Sequence, residues 1–312
     1  MNLDTLYRHF RDSYLAAVQK NGLPLAEGEK NISMVYKLIL EEAASPTTFE
    51  PYHQRITEPF DYYQFGLDFF RPLIQFDKSH VFGKATLHKI LEQLKRGENA
   101  ILFANHQTEP DPQIISLLLE KEHPRFAEEM IFVAGHRVVT DPFAIPFSKG
   151  RNLLCIYSKR YIEHPPELKE EKTRHNRRTL ERLKLLLQEG GKCVYVAPSG
   201  GRDRKQADGT IALAPFDPPS LELFRLMAKD TKTHFYPFAM DTYALFPPPE
   251  TVQTELGESR TADAVPVSIS FGAEIDMDHF PHAPVDKHQK REARASYLWN
   301  LVNDLYNQMK AC

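Results

Sequence analysis

Residues 100–122 read AILFANHQTEPDPQIISLLLEKE, and this stretch determines the predicted fold class. Its first five residues, Ala100–Ala104, are apolar, which is typical of a short buried strand. A polar loop follows, and then an amphipathic segment predicts a helix near 112–122. Asp111 followed by Pro112 is typical of a helix start. The stretch therefore predicts a strand, a loop and a helix in succession.

The same alternation of short strands and longer helices continues along the chain. Strands are predicted at Ala100–Ala104, Ile131–Ala134, Leu153–Tyr157, Cys193–Ala197, His234–Ala239 and Pro266–Phe271. Helices are predicted near 84–96, 112–122, 167–189, 218–229 and 286–310. Strands separated by helices predict an α/β fold with a mixed, largely parallel sheet flanked by helices. In such sheets, functional sites lie in the loops at the carboxyl ends of the strands.

The first 55 residues have a different pattern. Two stripes of apolar residues recur at helical spacing and are separated by a break at Gly22–Pro24. Neither helix is stable in water alone, so both must pack on something larger. We therefore predict a small all-helical N-terminal domain, 1–55, and an α/β catalytic domain, 56–312.

Composition excludes several classes of protein. The 312 residues carry 39 Lys and Arg against 42 Asp and Glu, and 42% are hydrophobic. The chain can therefore form a full core, and its near-neutral charge gives no reason to expect nucleic-acid binding. No apolar stretch approaches the roughly 18 residues of a membrane span. The scattered residues Cys155, Cys193 and Cys312 predict neither a disulfide framework nor a zinc site, and no metal or cofactor is expected. We expect a cytoplasmic protein, since the N-terminus has no apolar signal core.

His106 and Asp111 are the first candidates for chemistry. They flank one tight loop at the end of the first strand, so the carboxylate can reach the imidazole. A carboxylate there would fix the tautomer and stabilise the imidazolium, which makes the histidine a general base. His136 and Asp141 have the same spacing, but a proline interrupts the segment after them. The alternative is that His106 only ends a strand and Asp111 only caps a helix.

A second candidate, APSGGRDR at 197–204, follows another predicted strand. Ser199 stands one residue short of a nucleophile-elbow pattern, but the hydrophilic turn after it lacks the helix that an elbow needs. Glycines and two arginines suit an anion site better, because Arg202 and Arg204 share one face of an extended segment. The alternative is a solvated turn.

Two further basic segments are candidates. Lys159, Arg160 and Tyr161 follow a predicted strand at the same edge of the sheet and could complete a phosphate site, or could be ordinary surface residues. The helix 167–189 carries arginines at four-residue spacing, which form either a solvated face or a docking strip for an acidic partner. These arginines are Arg174, Arg178 and Arg182.

Taken together, these segments resemble the soluble plastid-type glycerol-3-phosphate acyltransferases and their bacterial relatives. The resemblance is carried by EPFDYYQFGLDFFRPLI (58–74), NHQTEPDPQIISLLLEK (105–121), FVAG (132–135), PFSKGRNLLCIYSK (146–159) and VAPSGGRDR (196–204). It extends in order from about residue 30 onward, which is more specific than any single motif.

The resemblance implies transfer of a fatty acyl chain from a thioester to the 1-hydroxyl of glycerol 3-phosphate, giving lysophosphatidic acid. It implies that His106 and Asp111 are the catalytic pair. The family's phosphate-binding residues fall on Arg202, Arg204 and the pair 160–161. The donor is acyl-acyl carrier protein or acyl-CoA, and the basic helix favours the carrier protein. The compartment is the bacterial cytosol or, for a processed plastid protein, the stroma, with transient membrane contact at most.

The chain departs from the family at one place. Plastid members typically have Lys-Lys-His where this chain has Lys159-Arg160-Tyr161, so a neutral hydroxyl replaces an ionisable imidazole. Two other functions fit the residues. A hydrolase would use Ser199, or water activated by His106, and would consume thioester without glycerol 3-phosphate. A non-catalytic acyl-carrier or phospholipid-binding module would bind without turnover.

Overall fold

The structure is a computed structural model that describes residues 3–249 and 260–311. Its strands are β1 (Tyr52–His53), β2 (His80–Phe82), β3 (Asn99–Ala104), β4 (Ile131–Gly135), β5 (Asn152–Ile156), β6 (Cys193–Val196), β7 (Arg204–Lys205), β8 (Ile211–Ala212), β9 (Thr233–Asp241) and β10 (Ser268–Phe271). Its α-helices are α1 (Leu3–Lys20), α2 (Leu25–Ala44), α3 (Tyr62–Phe70), α4 (Lys84–Lys95), α5 (Asp111–Leu119), α6 (Pro124–Glu129), α7 (Ile145–Lys149), α8 (Lys159–Ile162), α9 (Lys169–Glu189), α10 (Pro218–Met227) and α11 (Lys287–Lys310).

Eight strands form one sheet in the order β1-β5-β4-β6-β3-β9-β10-β2. The five central strands β5, β4, β6, β3 and β9 are parallel to their neighbours in this group, whereas β1 and β10 run antiparallel to β5 and β9. The predicted mixed, largely parallel sheet is therefore confirmed. Since the central strands share one direction, the loops after β3, β4, β5 and β6 emerge at the same edge of the sheet.

Helices cover both faces of the sheet, and the side chains of β3 show how its residues are divided. Ala100 and Leu102 pack in the core beneath α4 and α5, while Ile101 and Phe103 pack in the core beneath α9, α10 and α11. All of these side chains are buried. A strand buried on both faces reads as a continuous apolar run, which is why ILFA was recognisable in the sequence.

The N-terminal helices α1 and α2 pack against the α/β part and share a core with it. The ring of Phe10 in α1 contacts Phe143 and Phe246 with centroids 4.8 and 5.6 Å away. Tyr14 donates a hydrogen bond to the carbonyl of Phe69 at 2.7 Å. The buried residues Ile32, Val35, Leu38 and Ile39 of α2 belong to the same core, so both helices gain the apolar surface that they need. The boundary at residue 55 stays a prediction.

The shortest elements were not predicted. Strands β1 and β2 have two and three residues, which is too short for a period of two to be recognised. Residues 204–205 continue the segment that the anion-site interpretation expects to be extended, and they form β7, which pairs with β8 in a separate two-stranded sheet. Within the described ranges, no helix combines the length and apolar character that a membrane span requires.

Candidate active site

His106 and Asp111 form a hydrogen-bonded pair at the carboxyl end of β3. Nδ1 of His106 donates to the Asp111 carboxylate at 2.8 Å. Asp111 is the first residue of α5 and is fully buried, whereas 29% of the His106 side chain is exposed. Because the carboxylate holds Nδ1 as the donor, Nε2 is left as the basic nitrogen. The geometry is that of a general base with an orienting acid.

Several donors surround the Asp111 carboxylate. Its Oδ2 also accepts a hydrogen bond from the backbone N–H of Gln107 at 2.9 Å. Its Oδ1 accepts from the hydroxyls of Thr108 and Thr242 at 2.9 and 2.6 Å. Burial raises the pKa of Asp111, but the hydrogen bonds and the charge of His106 outweigh it and leave this pKa below its usual value. The carboxylate is therefore kept ionised beside the imidazole.

The loop that carries His106 is anchored to β9 by two amide side chains. Asn105 accepts from the backbone N–H of Met240 at 2.8 Å and donates to the Met240 carbonyl at 3.0 Å. Gln107 accepts from the backbone N–H groups of Thr242 and Tyr243. Both side chains are buried. The imidazole therefore projects from a rigid loop, which preorganises the base.

The second His-x4-Asp copy has different contacts. Asp141 accepts from Nη2 of Arg260 at 3.0 Å and from the backbone N–H of Phe143 at 2.9 Å. The ring of His136 packs against the ring of Tyr157, with centroids 4.6 Å apart. Asp141 therefore has a structural partner in Arg260, and this copy does not reproduce the geometry of the first.

The side chains of the extended segment 202–204 point alternately to opposite sides. Arg202 and Arg204 line the same cavity, together with Gly200 and Gly201. Asp203 points the other way and is buried, where it accepts from Asn105 at 2.9 Å and from the backbone N–H of Ala214 at 2.9 Å. Its own backbone N–H donates to the carbonyl of His106 at 2.7 Å. One segment therefore presents two cations to the cavity and braces the loop of His106.

This cavity, of about 1300 Å³ including the space open to solvent, lies at the predicted edge of the sheet. We call it the polar cavity for the charged side chains that line it beside apolar ones. Residues from the loops after β3, β4, β5 and β6 line it, and they include His106, Glu109, His136, Arg137, Ser158, Tyr161, Arg202 and Arg204. Arg137 was not singled out in the sequence, because HRVV follows the strand without a glycine-rich or paired-cation pattern. The concentration of cations makes the cavity suitable for an anion.

Glu109 is the carboxylate of this cavity, and the sequence analysis did not recognise its role. Arg260 binds it through two nitrogens at 2.8 and 3.0 Å, and Nη1 of Arg202 lies 3.9 Å away. Burial raises the pKa of Glu109, but Arg260, Arg202 and Arg137 together hold it below its usual value. Glu109 therefore remains ionised and positions Arg202 at the cavity wall.

A second, mainly apolar cavity, of about 830 Å³ including the space open to solvent, begins at the same histidine. It runs between the sheet and the helices α3, α5 and α7, and its lining includes Phe70, Phe132, Val133, Val138, Phe143, Phe147, Leu153 and Phe246. This aromatic and aliphatic lining with a few polar groups is typical of a small-molecule site. His106 and Glu109 line both cavities, so the candidate base stands where the polar and apolar cavities meet.

Other predicted residues lie as follows. The hydroxyl of Ser199 donates to the carbonyl of Gly201 at 2.9 Å, and the next α-helix, α10, begins only at Pro218, so the segment lacks an elbow. Tyr161 lines the polar cavity, while the side chains of Lys159 and Arg160 lie outside the described part of the structure.

The arginines of α9 are at the surface. Arg174 and Arg178 are largely exposed and each lies 3.5 Å from a glutamate, Glu170 and Glu50. Arg182 instead lies over the ring of Tyr52, at 5.2 Å from its centroid. Exposed ion pairs of this kind are weak, so they leave Arg174 and Arg178 able to contact a partner.

Comparison with known proteins identifies similar sequences over almost the whole chain. The sequence profile of the family described as Acyltransferase matches residues 86–241. A chloroplastic glycerol-3-phosphate acyltransferase, ATS11 of Cucurbita moschata, is 40% identical over 99% of this chain and 69% of its own length. The chloroplastic glycerol-3-phosphate acyltransferase of Spinacia oleracea is 39% identical over 99% of this chain and 66% of its own length.

The chain thus spans about two thirds of the length of these curated relatives. Among solved structures, the 1-acyl-sn-glycerophosphate acyltransferase PlsC of Thermotoga maritima is 18% identical over 78% of each chain, with a TM-score of 0.38.

Proposed function

Because the chain belongs to the acyltransferase family that includes the chloroplastic glycerol-3-phosphate acyltransferases, we propose that it acylates the 1-hydroxyl of glycerol 3-phosphate. The acyl group comes from a thioester, and the product is lysophosphatidic acid. The single observation that carries this proposal is the position of His106 between a cationic cavity and an apolar one. The first suits a phosphate and the second suits an acyl chain, so the two reacting groups meet at the base.

In the proposed mechanism, Arg202 and Arg204 bind the phosphate and thereby place the 1-hydroxyl near His106. Nε2 of His106 removes the hydroxyl proton as the oxygen attacks the thioester carbonyl, and Asp111 stabilises the imidazolium. When the tetrahedral intermediate collapses, the carbon–sulfur bond breaks and the leaving thiolate takes the proton from His106. No covalent acyl-enzyme is formed. Orientation of the two bound substrates contributes to rate in addition to the base.

Radiolabelled glycerol 3-phosphate, supplied with acyl-CoA or acyl-acyl carrier protein, tests the proposed function. Label in lysophosphatidic acid is the expected result. Loss of thioester that does not depend on glycerol 3-phosphate would instead indicate a hydrolase. Binding of both substrates without consumption of either would indicate a non-catalytic module.

We expect Arg202→Ala to raise the KM for glycerol 3-phosphate by about 10–100-fold, with a smaller effect on kcat. The reason is the loss of a charge-assisted hydrogen bond to the phosphate in both the ground and transition states. Steady-state kinetics at saturating acyl donor measure this. Lys205→Ala is the matched control, because Lys205 is an exposed cation next in the same strand and is not among the residues of the cavity wall. An unchanged KM in the Arg202 variant would remove Arg202 from the phosphate site.

The phosphate site is completed, in this proposal, by the segment 159–161. Tyr161 lines the polar cavity with Ser158 and Arg137. Lys159 and Arg160 are assigned to the phosphate from the sequence alone, Lys159 by its place after a strand and Arg160 also by the family resemblance. Arg137 is an additional cation in the wall of this cavity.

We further propose that α9 docks acyl carrier protein. Lys172 of α9 donates to the carbonyl of Tyr161 at 2.8 Å, so the N-terminal half of this helix adjoins the mouth of the polar cavity. Arg174 and Arg178 are exposed there, at positions where a carrier protein of acidic surface can bind them.

The double change Arg174→Glu and Arg178→Glu should raise the KM for acyl-acyl carrier protein at least about tenfold, because the introduced glutamates repel the acidic surface of the carrier protein. Arg182 is left in place, since its contact with Tyr52 is structural. The rate with acyl-CoA is the internal control and should not change. Equal losses with both donors would argue against carrier docking on α9.

The proposed compartment is the cytosol of a bacterium or the stroma of a plastid. The names of the relatives place those proteins in the chloroplast.

A further inference from the structure

Arg151 is a buried cation in the wall of the apolar cavity. Its side chain is 3% exposed, and it lines the cavity together with Phe147, Ser148 and Leu153. Burial lowers the pKa of Arg151 to about 10, with Tyr63 opposing the shift, so the guanidinium remains charged at neutral pH. A charged group in an apolar cavity is costly and requires an explanation.

The hydrogen-bonding capacity of Arg151 is only partly used. Nη1 donates to the hydroxyl of Ser116 in α5 at 2.6 Å, and the guanidinium lies over the ring of Tyr63 at 4.7 Å. Within residues 3–249 and 260–311, Nε and Nη2 are buried without a hydrogen-bond partner, and no carboxylate pairs with this arginine. A typical buried arginine has an acceptor for each of these donors.

A third unsatisfied polar atom lies in the same wall. Gln113, also in α5, donates to the carbonyl of Phe147, but its Oε1 is buried without a partner among the described residues. Gln113 and Ser116 are three residues apart and therefore lie on the same face of the helix. Two unsatisfied donors and one unsatisfied acceptor thus lie near the same part of the mainly apolar cavity.

That part of the cavity is distant from His106. Arg151 precedes β5, whose first residue, Asn152, pairs with Ile131 at the amino end of β4, whereas Gly135 at the carboxyl end pairs with Ile156. Five residues of β-strand correspond to about 16 Å. His106 lies at the carboxyl edge, so the cavity runs from the base toward a polar end beside Arg151.

We infer that Arg151 determines the acyl-chain specificity of the enzyme by ending the acyl cavity with hydrogen-bond donors that an alkyl chain cannot satisfy. This inference rests on the proposed function. Nε and Nη2 have almost no accessible surface in the empty cavity, so a short chain does not meet them. A saturated chain that reaches this end must displace the guanidinium from Ser116 and Tyr63 and supplies no acceptor in exchange, so it binds less tightly. A chain with an oxygen atom at its end restores the hydrogen bond.

Competition between acyl donors tests the inference. Equimolar lauroyl, myristoyl, palmitoyl, stearoyl and arachidoyl thioesters are mixed with glycerol 3-phosphate, and the products are separated by chain length. Product ratios report relative kcat/KM and do not depend on the fraction of folded enzyme. We expect Arg151→Met to favour the longer chains by about tenfold relative to the unmodified protein, the effect of one unmade hydrogen bond.

Arg71→Met is the matched control. Arg71 pairs with Glu120 at the end of the same helix and does not line the cavity, so its loss perturbs α5 without touching the acyl site. Its product ratios should equal those of the unmodified protein. An identical chain-length profile in Arg151→Met would overturn the inference, even with product formed at a normal rate.

A second measurement uses the unmodified protein and so does not depend on the folding of a variant. At the first saturated length that is poorly used, the ω-hydroxyl form of the same thioester should be used about tenfold better, because its oxygen accepts from Arg151. No gain from the hydroxyl would also overturn the inference. Absence of product from every donor would instead contradict the proposed function.

Discussion

Replacement of His106 by alanine is expected to lower kcat by about 10²–10⁴-fold, the contribution of a positioned general base. The loss should appear in kcat at saturating concentrations of both substrates, because the imidazole acts on the proton in the transition state and does not bind the phosphate. The side chain is part-exposed, and among the described residues its hydrogen bond is to Asp111, so the melting temperature should change little. Rapid-quench or steady-state assays of labelled lysophosphatidic acid measure the effect.

The chain offers a matched control for this change. His279 makes the same kind of contact, Nδ1 to the carboxylate of Asp276 at 3.0 Å, but the pair is at the surface and lines neither cavity at the proposed site. His279→Ala should leave kcat unchanged. Full activity of the His106 variant would exclude the base mechanism, whatever the result for His279.

Replacement of Asp111 by asparagine should have an effect of similar size, a loss of about 10³–10⁴-fold in kcat. The amide is isosteric but can present its NH₂ group to Nδ1 of His106. The imidazole then places its proton on Nε2, which can no longer accept the proton of the substrate hydroxyl. The unfavourable tautomer, and not a loss of shape, is the cause of the expected loss.

A comparison of activity with folding separates this role from a structural one. We expect folded Asp111→Asn to be nearly inactive at temperatures well below its melting temperature, because the imidazole then holds the wrong tautomer. Asp276→Asn is the control and should leave kcat unchanged. Full kcat in the folded Asp111 variant, with only a lower melting temperature, would assign Asp111 a structural role only.

The central strands and the long helices were predictable because each depends on a local pattern. The continuous apolar run of β3 and the helical periodicity of α9 and α11 are read within a single window. The predicted bounds differ from the observed ones by a few residues, since helix ends depend on capping and on neighbours. Two-residue strands such as β1 have no period and exist only because a partner strand, β5, is beside them.

The candidate site likewise contains pairs that follow from local spacing and contacts that only distant residues make. His106 and Asp111 are joined by a short loop and a helix start, and Arg202 and Arg204 are joined by the alternation of an extended chain, so both pairs follow from sequence spacing. Glu109 lies within the first motif, but its importance comes from Arg260, which is 151 positions away.

By itself, the sequence determined the α/β class, the family resemblance and the local geometry of the candidate base and the two arginines. Only the tertiary structure decided that Thr242 reaches Asp111, that Arg260 neutralises Glu109, and that Arg151 lies in the wall of an apolar cavity. The physical reason is that the first set depends on backbone periodicity between near neighbours, whereas the second depends on the order of strands in the sheet. That order is set by the packing of the whole core, which no local stretch of residues specifies.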